Sequence, residues 1–224
     1  MSTRFSITDT LGSITAEYPE AYRVFLKHGI DFCCGGSRSL EAASDDAGVP
    51  ADQLLDEILH ESVSVEGEEL WTGGETHELI AHIVDRYHRP LRVYLERLDM
   101  LSEKVLKAHF ENHGSTLSRL REVILEFRSE LLNHMEKEER ILFPMILSGR
   151  TVQIGHPIRI MEIEHEDAAK KLSQIRRLTN NFTLPGDACD SFKAYWQELE
   201  TVDRELRFHI HLENNILFSE VLAN

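Results

Sequence analysis

Two stretches, HMEKEERILF at residues 134–143 and HIHLENNILF at residues 209–218, share one frame. In each, a histidine is followed four residues later by a glutamate and then by Ile-Leu-Phe. Four residues of α-helix advance the chain about 6 Å and return it close to the same face. His134 with Glu138, and His209 with Glu213, can therefore each aim an imidazole and a carboxylate into one interior. Ile141, Leu142 and Phe143, like Ile216, Leu217 and Phe218, supply apolar surface one turn on. Polar pairs beside core residues are how a helix bundle builds an internal metal site.

A second repeat supports the first. His88 opens HRPLRVYLERL and His165 opens HEDAAKKLSQI, with Leu95 matched by Leu172 and Leu98 by Ile175. From about residue 76 the chain reads as two helical hairpins, each giving a lone histidine and then a His-x-x-x-Glu. The expected fold is all-α: an up-down four-helix bundle preceded by a small helical domain. The predicted bundle helices cover about 76–107, 115–147, 156–180 and 187–222. Leu79, Ile83, Leu91, Leu95 and Leu98 mark the core stripe of the first. Leu117, Leu120, Ile124, Phe127, Leu131, His134, Glu138, Ile141 and Met145 mark that of the second, with Ser115 as its cap. Pro144 falls near the end of that helix, where it kinks or tightens the last turn.

Upstream, Asp9 is placed to cap a first short helix, and Pro19 to open a second that runs to Lys27 and stops at Gly29. The stretch DFCCGG, residues 31–36, is too glycine-rich for helix. A third helix over 39–47 ends near Gly48, and Pro50 opens a fourth, ADQLLDEILHE. The acidic, Gly- and Ser-bearing SVSVEGEELWTGG, 62–74, lacks helical period. We therefore divide the chain into a helical domain at 1–63, a linker at 64–75 and the bundle at 76–224.

Composition excludes several classes of function. The 224 residues are 42% hydrophobic and 28% charged, as in ordinary globular proteins. No stretch approaches the roughly 18 apolar residues of a membrane span. MSTRFSITDTLG has no signal-peptide core, so a cytoplasmic location is the expectation. A formal charge of −15 makes nucleic acid and anionic membrane poor partners. Three cysteines, two of them adjacent, do not form a secreted disulfide framework.

Four imidazoles and two carboxylates suit iron, manganese or zinc better than calcium. Six ligands split so evenly over four helices fit two ions bridged by the two carboxylates better than one. Each ion would then receive about four protein bonds and keep roughly two positions open for small ligands. Most of the other histidines, of twelve in all, read as ordinary residues. His211 lies about 200° round the helix from His209 and should face away from the site. His82 is off-phase from His88. His77, His109, His113 and His156 lie near ends or turns and read as solvated or capping, and His28 and His60 lie outside the bundle. Glu164, next to His165, is placed to reach the site's rim, but a surface role is the preferred reading.

Cys33 and Cys34 leave two readings open. Neighbouring cysteines make a strained disulfide. In a glycine-rich loop, exposed thiols activated by backbone amides would serve redox exchange or iron or sulfur transfer. Alternatively they are small apolar residues closing a mini-domain. Cys189, at the start of the last helix, reads as structural or incidental.

The ordered set DFCCGG, RYH at 86–88, HMEKEERILFPM at 134–145, EIEHEDA at 162–168 and HIHLENNILF resembles the repair-of-iron-centres family. These are di-iron proteins with a hemerythrin-like domain, and the resemblance spans essentially the whole chain. It implies two non-haem iron ions in an oxo- or hydroxo-bridged centre. It makes His88, His134, His165 and His209 terminal ligands, and Glu138 and Glu213 bridges. It also implies repair of iron–sulfur clusters damaged by nitrosative or oxidative stress, through iron donation to damaged iron–sulfur proteins. Nitric oxide reduction to nitrous oxide, or reversible O2 or NO binding by a sensor or carrier, are the alternatives, with a monomer or homodimer expected. In that family the paired cysteines are implicated in function, which favours the functional reading of Cys33 and Cys34. Oxygen-carrying hemerythrins resemble a five-histidine pattern. Here position 169 is Ala and the last helix carries Glu213, not Asp, which suggests a more labile centre.

Overall fold

Two prolines explain an irregularity in the long helices. Pro90 and Pro144 lack an N–H and would drive their rings into the carbonyl four residues back. Each stands two residues past the end of a widened π-helical turn, Ile83–His88 before Pro90 and Glu138–Leu142 before Pro144. Such a turn gives the ring room and is a frequent mark of functional sites. A third π-helical turn, Leu212–Leu217, has no proline behind it.

The structure is a computed structural model that describes residues 5–61, 71, 73–149 and 154–223. Among these there are eight helical runs and no strands. Four are short: α1 (Leu11–Glu17), α2 (Ala21–Lys27), α3 (Leu40–Ala47) and α4 (Ala51–Glu61). Four form the longer rods. α5 runs over 76–108 and includes Ile83–His88; α6 runs over 110–147 and includes Glu138–Leu142. α7 is Gly155–Leu178, and α8 runs over 190–223 and includes Leu212–Leu217. Most of the stretch read as a linker, 62–70 and residue 72, lies outside the described residues. Among the described residues, no helix is long and apolar enough to cross a membrane.

The described residues group into two compact units, one of 1–75 with Ile210–Ala223, the other of Thr76–His209. In the first, Thr10 caps α1 by accepting from the Ser13 amide, and Ser39 caps α3 from the Ala42 amide. Asp9, the expected cap, instead accepts from the Ser6 amide at 2.6 Å. Gly29 and Gly48 adopt the left-handed backbone that ends α2 and α3. Leu11, Ile14, Val24, Phe25, Phe32, Leu40, Leu54 and Ile58 fill the core of this unit. Fully burying one such side chain is worth about 1.5–3 kcal/mol.

The second unit is an antiparallel bundle. Asp99 meets Arg121 while His88 meets Glu139, which runs α5 against α6. Lys171 meets Glu130 while Glu164 meets His134, which runs α6 against α7. Arg86 meets Glu205 while Arg97 meets Glu198, which runs α5 against α8. Between α7 and α8, the buried Asp203 accepts from Arg176 Nε at 2.9 Å and from Arg207 Nε at 3.1 Å. The predicted stripes from Leu79 to Leu98 and from Leu117 to Leu131 are buried. Two expectations change. α6 starts at Phe110, not at Ser115. Ile141 is 54% exposed, while Leu142 and Phe143 are buried. The π-turn inserts an extra residue per turn, so core phase passes from Ile141 to its neighbours.

Candidate metal centre

Each of the six residues singled out from the sequence is buried: His88, His134, Glu138, His165, His209 and Glu213. Three of them, His88, Glu138 and Glu213, lie within the π-helical turns. His134 and Glu138 remain one α-turn apart, because the Glu138 amide still donates to the His134 carbonyl. The six side chains form two overlapping groups. His88, Glu138, His209 and Glu213 make one; His134, Glu138, His165 and Glu213 make the other. In each, one donor atom per residue lies within 4.8 Å of all the rest.

Distances inside the groups suit a cation. His88 Nε2 is 2.9 Å from His209 Nε2, and His165 Nε2 is 3.0 Å from His134 Nε2. Donors bound about 2.1 Å from one ion at right angles stand about 3.0 Å apart, and opposite donors about 4.2 Å apart. Glu138 turns its two oxygens different ways. Oε2 faces His88 Nε2 at 3.5 Å; Oε1 faces His134 Nε2 at 3.2 Å and His165 Nε2 at 3.7 Å. The donor set is all nitrogen and oxygen, which suits iron, manganese or zinc. Burying carboxylates without compensating charge is costly, so a cation fits this interior.

Two further carboxylates orient the rings. His88 Nδ1 lies 2.8 Å from Glu139 Oε1, to which Arg92 Nη1 also donates at 2.9 Å. His134 Nδ1 lies 2.9 Å from Glu164 Oε2, whose other oxygen accepts from Lys137. A carboxylate at Nδ1 fixes the tautomer that leaves Nε2 for a metal. The His134 contact, then burial opposing it and Lys137 supporting it, leaves the Glu164 carboxyl at about 2. His88, ahead of Arg92, holds Glu139 below the usual carboxylate range. Burial opposes charge on His134, but Glu138 and Glu164 outweigh it and raise its pKa. Glu164 is thus a partner of the site, not the surface residue expected. Glu139 was not singled out at all. The available signal was adjacency: each sits one residue from a candidate ligand and reaches a ring on the preceding helix.

Tyr87 lies nearly parallel to His209, with ring centroids 6.0 Å apart, and Phe143 stacks on His88 at 5.8 Å. Ala169, one turn after His165, is buried and brings no donor. His211, expected to face away from the site, is buried. Its Nδ1 is 3.0 Å from Asn215 Nδ2, its ring lies against Phe32, and burial pulls its pKa down to about 4.

Cys33 is buried and Cys34 half-buried, with their sulfurs 4.0 Å apart and no disulfide between them. Asp31 Oδ1 accepts from both backbone amides at 3.0 Å and from the Cys33 thiol at 3.0 Å. Those amides therefore serve the Asp31 carboxylate, not a thiolate. Asp31, Cys33 and Cys34 form a third group close enough to share an ion. The Cys33 carbonyl accepts from Asn214 Nδ2 at 3.3 Å and from Asn215 Nδ2 at 3.1 Å.

Comparison with known proteins agrees with a cation-binding helical domain. Residues 79–221 match the hemerythrin HHE cation-binding domain, and residues 7–62 match a domain of unknown function. The chain is 37% identical to the iron–sulfur cluster repair protein YtfE of Dickeya chrysanthemi, over 95% of this chain and 96% of that one. It is also 37% identical to a probable iron–sulfur cluster repair protein of Haemophilus influenzae, with the same coverage. The YtfE of Musicola paradisiaca is 36% identical, again over 95% and 96% of the two chains. The chain belongs to the hemerythrin HHE cation-binding family, among the iron–sulfur cluster repair proteins.

Proposed function

We propose that this chain repairs iron–sulfur clusters damaged by nitrosative or oxidative stress, by holding two non-haem irons and donating iron. The observation that carries the reading is Glu138, whose two oxygens face different histidine groups as a bridging carboxylate would. His88 and His209 would hold one ion, His134 and His165 the other, with Glu138 and Glu213 shared. Bound there, the pair would supply transferable iron and positions able to take NO or O2.

The protein's own residues favour release. Neutral imidazoles give four of the donors, and Ala169 adds none. Glu139 and Glu164 keep Nε2 of His88 and His134 turned inward. Asp31, Cys33 and Cys34 supply a separate thiol-bearing group for redox exchange or iron or sulfur transfer. In this reading residues 1–63 form the cysteine-bearing domain, 64–75 the linker and 76–224 the di-iron bundle, acting in the cytoplasm.

The test uses an iron–sulfur dehydratase inactivated by NO. Iron-loaded protein should restore its activity while losing iron. Equal restoration by metal-free protein would overturn donation. Nitrous oxide formed catalytically, well beyond the iron present, would instead make NO reduction the principal activity.

A further inference from the structure

Cys189 is the exposed thiol of this chain; Cys33 is buried and Cys34 half-buried. It directly precedes α8, and its carbonyl accepts the Lys193 amide at 3.0 Å, the first bond of that helix. His109 occupies the non-helical break between α5 and α6, and its Nε2 lies 3.2 Å from the Cys189 sulfur. The buried Phe192 fixes that ring edge-on, with centroids 5.0 Å apart at 86°. Close by, His113 is engaged by Asp187 at 2.9 Å, and its ring packs on the same Phe192. Nucleophile, base and a group orienting the base are thus assembled at one surface point.

We propose that Cys189 and His109 form a reactive thiol site that exchanges with small uncharged or cationic disulfides. Three features support a thiolate there: the imidazole, the start of a helix and nearby backbone amides. The His109 contact foremost, then the amides of Phe192 and Ser191, pulls the thiol below its ordinary pKa. Asp187 and Asp190 stand two before and one after Cys189 in the sequence, and the chain carries a formal charge of −15, which disfavours anionic disulfides.

The step balances without any further reagent. The Cys189 sulfur attacks one sulfur of the disulfide, and the S–S bond breaks as the mixed disulfide forms. The other half leaves as a thiolate and takes the proton held by His109. Cys189 is oxidised and half of the small disulfide is reduced. The proposal is independent of the iron centre.

The test treats the iron-loaded full chain with 2-hydroxyethyl disulfide at pH 7 and follows each cysteine by peptide mass spectrometry. Iodoacetamide gives the pH profile of alkylation. Lowering a thiol's pKa by one unit raises its thiolate fraction up to tenfold but weakens each thiolate about threefold, for a net gain of about threefold. Cys189 should react before Cys34 and faster than the same cysteine in urea-unfolded chain. His109→Gln should slow Cys189 about threefold or more and raise the pH midpoint of its alkylation, while His156→Ala, at an exposed position on α7, leaves its rate unchanged. An unchanged Cys189 profile in His109→Gln, or equal rates in native and unfolded chain, would overturn the proposal.

Discussion

Glu164→Gln perturbs the candidate centre while leaving all six proposed ligands in place. In the native site Glu164 accepts from His134 Nδ1 and from Lys137. Glutamine keeps an acceptor oxygen at Nδ1 but removes the charge, leaving the Lys137 cation uncompensated close to the site. Losing such an outer partner costs 10–100-fold in metal affinity. The Glu164 side chain is 32% exposed, and solvent screening places the loss near the lower end. We expect about tenfold, or ~1.4 kcal/mol, for the ion held by His134 and His165. Glu139→Gln should do the same for the ion held by His88 and His209. The two losses should nearly add in the double variant, because the carboxylates serve different rings. Competition with a chromophoric iron chelator, with folding checked by circular dichroism, measures each step. A folded Glu164→Gln protein with undiminished affinity for both ions would refute the reasoning.

Further predictions follow from other contacts. Glu138→Leu and Glu213→Leu should each cost most of the bound iron, and either variant keeping two irons per chain would contradict the bridging assignment. A Cβ on Gly35 would lie 2.6 Å from the Asp31 carbonyl oxygen. Gly35→Ala should therefore destabilise the chain by about 1–3 kcal/mol and loosen the Cys33–Cys34 loop, seen as a lower Tm and faster Cys33 alkylation. Lys27 foremost, then Gln53 and His28, lowers the Glu57 carboxyl from 4.5 to about 2. Its depressed value means that the α2–α4 clamp stabilises the fold fully above about 4.5, and that this contribution fades as pH falls towards 2. Carbon-13 NMR of Glu57 should show that low midpoint, and a midpoint near 4.5 would remove the claim.

The four-helix reading was legible because ligand positions keep helical period with their own core. His134 and Glu138 lie on the stripe that Leu117 to Leu131 define, and His88 on that of Leu79 to Leu98. What local period could not show was where the helices widen. Ile141 fits the α-helical stripe, yet the π-turn at Glu138–Leu142 delivers Leu142 and Phe143 to the core instead. The prolines at 90 and 144 carried that signal, because each needs a relaxed turn before it. Glu139 was hidden, and Glu164 read only as a rim candidate, for another reason: their partners are on neighbouring helices, and spacing along one helix says nothing of such reach. His211 is buried against Phe32 and Asn215, which makes it structural. Its removal should therefore cost stability.

Iron counting combined with Mössbauer spectroscopy on the same iron-loaded sample tests the proposed centre most directly. The account predicts two irons per chain with the spectrum of an exchange-coupled pair, both lost together in Glu138→Leu. One iron per chain, two uncoupled irons, or full occupancy in that variant would contradict it.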